Sequence, residues 1–191
     1  MHTHRVLSGI AVFLVLSAAL FAQTPVTGDW YYYNDANDGG SSKIIIDGSP
    51  TTTFKMKTET INGTEKKVAV LGGKVTTDFQ YGFIGMGIKL DSAALQTAKK
   101  AKGIRFKVIG KNEFRCKFET GNITDYDYYG KNFRASGSVQ TVEVRYSGVK
   151  QEGWGTPKSF DPASIVQISF QTVGQPIPDV SLKLFDLEFI M

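Results

Sequence analysis

The segment Gly103–Thr120, GIRFKVIGKNEFRCKFET, decides the fold. Ile104, Phe106 and Val108 alternate with Arg105, Lys107 and Ile109; then Phe114, Cys116 and Phe118 alternate with Arg115, Lys117 and Glu119. A period of two is the mark of half-buried strands. With Gly110, Lys111 and Asn112 as turn residues, the two strands read as an antiparallel hairpin with one apolar and one polar face. An apolar face of that kind needs a second sheet to cover it, which predicts a sandwich. The polar face would gather Arg105, Lys107, Arg115, Lys117 and Glu119 just ahead of the tyrosine cluster ITDYDYYGKNF. Charges beside exposed aromatics suit a hydroxyl-rich ligand; a solvated outer face is the plainer alternative.

Outward from this segment the same period recurs. Strands are expected over Thr52–Ile61, Lys66–Leu71 and Phe83–Leu90 upstream, and over Thr141–Tyr146, Ile165–Gln171 and Leu182–Phe189 downstream. One helix is expected, Asp91–Lys102, capped by Asp91 or Ser92 and closed by Gly103. About ten strands and one short helix predict an all-β, antiparallel β-sandwich of jelly-roll type. Gly82, Gly85 and Gly87 fall within a strand, where glycine permits close backbone approach or bulges. A phosphate-binding loop would put its glycines between strand and helix, so that reading fails.

At the start, Arg5 precedes an apolar run from Val6 to Phe21 and a small residue at Ala22. This reads as a signal peptide over residues 1–22, too short to span a bilayer, followed by a single domain over 23–191. Export to the periplasm, cell surface or medium follows. The one cysteine, Cys116, precludes an intramolecular disulfide and reads as a small buried hydrophobe; an exported chain without disulfides suggests a bacterial source. Basic residues number 22 against 18 acidic and are scattered, which argues against nucleic acid as a partner. Trp30 reads as structural, and the run NDANDGGSS that follows Tyr33 reads as an Asx-rich turn, with a calcium loop as its alternative.

Catalytic groups are sparse. The only histidines, His2 and His4, lie in the signal segment, which removes the usual base of a hydrolase triad and the commonest zinc ligand. Glycosidase chemistry needs two carboxylates facing across the bond; Asp125, Asp127, Glu143, Glu152, Asp161 and Asp186 are candidates whose convergence sequence does not show. The reading is a protein that is not an enzyme.

An ordered set of segments carries a resemblance: WYYYNDANDGGSS from Trp30, YGFIGMGIKL from Tyr81, GIRFKVIG from Gly103, DYDYYGKNF from Asp125, QEGWG from Gln151, FDPASIVQISFQT from Phe160 and FDLEF from Phe185. Together they resemble the family 11 carbohydrate-binding modules and the related complex I intermediate-associated proteins, both galactose-binding-like jelly rolls. The resemblance implies non-catalytic binding of a β-glucan-like polysaccharide in a concave groove, with an assembly factor holding a protein partner as runner-up and a glycoside-active enzyme behind both. Sugar rings stack their C–H faces on aromatics while their hydroxyls need donors and acceptors, so the expected ligand-binding residues are Tyr126, Tyr128, Tyr129, Gln151, Trp154, Arg105 and Arg115. Tyr126 and Tyr128 share a parity that Tyr129 lacks, so at least one of the three should pack inward. Trp154, between Gly153 and Gly155, is equally a plug over the core, and Tyr146 is open to either role. The family's structural calcium is implied too, with Asp29, Asp35 and Asp186 as loose candidates, although only Asp186 stands where the family's Asp pair would be.

Overall fold

The computed structural model describes residues 24–191; the signal-peptide reading lies outside the described residues. The strands, in chain order, are β1 Thr24–Pro25, β2 Gly28–Asn34, β3 Lys43–Ile46, β4 Ser49–Pro50, β5 Lys57–Ile61, β6 Thr64–Val75, β7 Ile84–Leu90, β8 Gly103–Lys111, β9 Glu113–Thr120, β10 Tyr129–Arg134, β11 Gln140–Arg145, β12 Ile165–Thr172 and β13 Ile177–Ile190. One helix, α1 Ser92–Ala98, links β7 to β8. An eight-stranded sheet runs β11-β8-β13-β6-β3-β4, with β1 added to β13 and β5 to β6; a five-stranded sheet runs β10-β9-β12-β7-β2. All strand pairs are antiparallel, which makes the fold an antiparallel β-sandwich of jelly-roll type.

The central segment is not a hairpin. β8 pairs with β11 and β13, whereas β9 pairs with β10 and β12, so the chain crosses from one sheet to the other at Asn112, in the left-handed region with φ +83°. Alternation fixes which side chains are buried but not which strand lies alongside. Ile104, Phe106 and Val108 therefore face Phe114, Cys116 and Phe118 across the core instead of lining one face with them. The polar residues separate accordingly. Arg105 and Lys107 lie outside the larger sheet, and Arg115, Lys117 and Glu119 lie outside the smaller.

Between the sheets Phe106 meets Phe170 edge to face at 5.1 Å and Phe133 at 5.3 Å, the spacing aromatic quadrupoles favour. Burial pushes the Cys116 thiol well up, so it stays protonated and packs as a hydrophobe. Trp30 is structural as expected, stacked between Phe54 at 5.4 Å and Phe170 at 6.3 Å. Phe54 belongs to a non-strand segment rather than to the strand expected from Thr52, because its ring plugs the sandwich beside Trp30 and Tyr32. The helix is shorter than its expected span; Asp91 caps it, accepting the Ala94 N–H at 2.9 Å, and that bond holds the Asp91 carboxyl below its ordinary value. No helix among the described residues is long and apolar enough to cross a membrane.

Candidate functional site

Alternation along the smaller sheet turns Ile84, Met86, Ile88, Phe114, Cys116, Phe118, Ile168 and Phe170 into the core. The intervening residues therefore face outward, and the register sets them in rows across the strands. One row reads Tyr33, Gly85, Gln171, Arg115 and Asn132; the next reads Tyr31, Gly87, Ser169, Lys117 and Gly130; a third contains Asp29, Lys89, Gln167 and Glu119. These rows form an aromatic and polar floor.

Lys117 sits at its centre. Its ammonium lies 5.6 Å from the ring centroid of Tyr33 and 5.9 Å from that of Tyr128, and donates to Gln171 Oε1 at 2.7 Å. Burial lowers the Lys117 pKa, against the pull of Glu119 and Glu152. Glu119 is buried and accepts from Ser169 Oγ at 2.5 Å and Gln167 Nε2 at 2.7 Å. Burial, and then the Glu119 carboxylate, raises both Tyr31 and Tyr33, so their phenols remain neutral donors. Burial raises Tyr128 in the same way. Arg115, only 6% exposed, donates to Asn132 Oδ1 at 3.1 Å and to the Lys150 carbonyl at 2.5 Å. Its Nε has no hydrogen-bond partner and lies 3.7 Å from a Glu152 oxygen; the hydroxyl of Tyr33 is also unpartnered. The floor thus keeps its charges largely matched internally, and the two unpartnered donors, Arg115 Nε and the Tyr33 hydroxyl, are themselves buried.

Two loops at one end of the floor are locked together by carboxylates. Asp127 is buried and accepts the backbone N–H groups of Glu152, Gly153 and Gly155 at 2.8, 3.0 and 3.1 Å. Asp125 accepts the Thr156 N–H at 2.7 Å, a bond that holds its carboxyl below the ordinary value. The locked loops carry two exposed aromatics, Tyr126 at 72% and Trp154 at 61% exposure. Tyr126 has φ +66°, a conformation costly for a bulky residue, and lies edge-on to Tyr128 with centroids 6.3 Å apart.

Of the expected ligand-binding residues, the structure brings together Tyr128, Arg115 and Tyr126, with Trp154 on the adjoining loop. Tyr129 is elsewhere: it pairs with inward-facing Phe118, packs on Phe160 at 5.0 Å and donates its hydroxyl to the Lys158 carbonyl, as the parity argument required of one tyrosine. Gln151 braces its loop, donating to the Asp127 and Thr156 carbonyls at 2.9 and 3.2 Å and accepting the Lys158 N–H at 2.9 Å. Arg105 stands outside the opposite sheet, paired with Glu188 and, at 3.7 Å, with Glu143, because the chain crosses over at Asn112. Tyr146 covers the core, edge-on to Phe118 at 5.0 Å. Sequence reasoning left Tyr31 and Tyr33 out of the binding set. The signal was present: Tyr-x-Tyr on one strand faces Gly-x-Gly on the next.

The calcium candidates are not brought together. Asp29 is on β2; Asp35 is fully buried and accepts from Ser42 N at 3.0 Å, Ser42 Oγ at 2.6 Å and Phe83 N at 3.2 Å. Asp186, at a bulge with φ +49°, pairs with Lys66 at 2.9 Å and Lys107 at 3.0 Å. A cation wants open carboxylate oxygens, and two ammoniums repel it, so these residues do not fit a calcium ion. Among the described residues no group of three or more His, Cys, Asp or Glu could hold a metal. Two hollows, about 440 Å³ beside Asn34, Lys43 and Thr51 and about 260 Å³ among Arg105, Lys107 and Asp186, lie away from the tyrosine floor.

Solved carbohydrate-binding modules share this two-sheet architecture. The chain is similar to the family 11 module of Clostridium thermocellum solved with a β-1,3-1,4-mixed-linked tetrasaccharide, with a TM-score of 0.56, 16% identity and coverage of 84% of this chain and 88% of that one. A family 30 carbohydrate-binding module matches with a TM-score of 0.55, 17% identity and coverage of 88% and 95%. At such identities the likeness is one of fold. In sequence, the chain is 28% identical over 162 residues to Endoglucanase 3 of Fibrobacter succinogenes, covering 82% of this chain but only 23% of that enzyme's length. The family model for complex I intermediate-associated protein 30 matches residues 19–184, and the chain belongs to that family.

Proposed function

We propose that this protein binds a neutral, β-glucan-like polysaccharide, without catalysis, on the outer face of the five-stranded sheet. One observation carries the reading: Tyr31, Tyr33 and Tyr128 share that face with Lys117, Gln171 and Asn132, so aromatic rings and hydrogen-bonding groups lie together on it. A neutral chain suits the floor because Glu119 and Arg115 already have partners within it. The solved relative that holds a mixed-linked tetrasaccharide supports the ligand class. The carboxylates considered for glycosidase chemistry have other partners: Asp125 and Asp127 brace loops, Glu152 lies 3.7 Å from Arg115 Nε, Asp161 accepts the Ala163 N–H at 2.9 Å, and Glu143 and Asp186 pair with bases on the other sheet. In this reading residues 1–22 direct export and the domain acts outside the cytoplasm.

Affinity gel electrophoresis of the purified protein against soluble β-glucans, xylans and mannans tests the reading. Retardation by β-glucan is expected. Absence of retardation by every polymer, from a protein that melts cooperatively, would instead favour the second reading, a protein-assembly role. The name of the family and the exposed pair Tyr126 and Trp154 support that alternative.

A further inference from the structure

The outward positions of β7 opposite the two tyrosines are glycines, and the space their side chains would occupy is already filled. A methyl group on Gly87 would lie 2.5 Å from Tyr31 Oη and 2.6 Å from its Cζ; one on Gly85 would lie 2.6 Å from both Cε1 and Oη of Tyr33 and closer still to Cζ. The register makes the pairs direct, Tyr31 opposite Gly87 and Tyr33 opposite Gly85. Both side chains therefore recline across β7 instead of standing from the sheet. Gly130 on β10 differs: a methyl there would meet the Cys116 backbone carbonyl first, at 2.5 Å, and Arg115 Nε only at 3.0 Å. None of Gly85, Gly87 and Gly130 has the left-handed backbone that would demand glycine for its own sake. For β7, tyrosine atoms make up all of the nearest neighbours, so what excludes a side chain there is the rings and not the backbone.

We infer that Gly85 and Gly87 are positioning residues of the binding face: they hold Tyr31 and Tyr33 down against the sheet, where the rings form a floor for sugar to stack on. The inference rests on the glycan-binding reading. Its physical content is that a Cβ at either position forces the ring upward, across the path of a ligand, while the inward neighbours Ile84, Met86 and Ile88 keep the strand in place. Glycine in a strand interior carries a cost in stability, and here it is offset by the ring that covers it.

A double-mutant cycle on the full protein tests this, using a soluble β-1,3-1,4-glucan as probe and affinity electrophoresis as readout. Tyr31→Leu and Gly87→Ala should each weaken retention by about tenfold, equivalent to about 1.4 kcal/mol, and the double variant should be no weaker than Tyr31→Leu alone. Losses that simply multiply would overturn the positioning role and leave glycan binding intact, since a glycine acting only through the fold has no reason to couple to one ring. If the unaltered protein is not retained at all, the binding reading fails and this inference falls with it. If Gly87→Ala does not fold, proton chemical shifts decide: the Hα signals of Gly85 and Gly87 should be ring-shifted in the unaltered protein, relax in Tyr33→Leu and Tyr31→Leu respectively, and move on addition of the glucan. Ordinary glycine shifts, unmoved by either substitution, would overturn it.

Discussion

The two outer faces of the sandwich are built from strands of the same alternating type, yet they engage their central charges with different kinds of partner. Outside the larger sheet, bases and acids are paired with one another: Arg105 with Glu188, Arg145 with Glu143, Lys183 with Glu59, and Lys66 and Lys107 with Asp186. Outside the smaller sheet, Lys117 lies among tyrosine rings and Glu119 among Ser169 and Gln167. The first face is closed on itself and offers a ligand little that is not already engaged. The second presents π surface and hydrogen-bonding groups together, which is what a polyhydroxylated chain needs. The difference shows that a charged residue on an outward strand position says nothing about binding until its cross-strand neighbours are known.

Breaking the layer both faces share should have the largest effect. Phe170→Ala removes a ring that touches Trp30, Phe106 and Phe133 and is expected to cost about 3–5 kcal/mol, read by denaturant melts, with loss of both faces at once. Next come changes that separate the faces. Tyr128→Ala should weaken β-glucan retention by about tenfold, near 1.4 kcal/mol, with little change in Tm; a large fall in Tm would place that ring in the fold instead. On the opposite face, Asp186→Asn should cost about 1 kcal/mol of stability, as exposed ion pairs are weak, and leave retention unchanged.

That substitution also carries a pH signature. Burial works to raise the Asp186 pKa, but the Lys66 and Lys107 ammoniums outweigh it and leave the carboxyl below its ordinary 3.8. A depressed folded pKa gives stability that is present above the unfolded value and lost as pH falls through the folded one. Melting curves of the unaltered protein and Asp186→Asn should therefore begin to converge as pH falls below about 4 and meet once it has passed the folded value. A gap that persisted in acid would assign the effect to packing. The smallest expected effect is that of a chelator, which should not shift Tm, because the three aspartates considered for calcium are engaged by protein donors or held apart.

Much of this was legible from alternation alone. Ile104, Phe106, Val108, Phe114, Cys116 and Phe118 are buried where the period put them, and Asp91 caps the helix it was expected to open. The site was half legible. Tyr128 and Arg115 are on the floor, but Arg105 was grouped with Arg115 on the strength of a hairpin that does not form, and Gln151 and Tyr129 were chosen for residue type when their partners are the protein's own carbonyls. Tyr31 and Tyr33 were left out because the Tyr-x-Tyr and Gly-x-Gly patterns are more than fifty residues apart in the chain, and only the strand pairing sets them opposite each other.

The sequence by itself determined the class of fold, since a period of two over many short segments leaves an antiparallel sandwich as the way to bury one side of each strand. It determined the family as well, through an ordered set of segments. The tertiary structure decided which sheet each strand joined and hence which side chains share each outer face. Side-chain parity is a local property of the backbone, whereas the neighbour across the ladder is set by how the whole chain closes over its core.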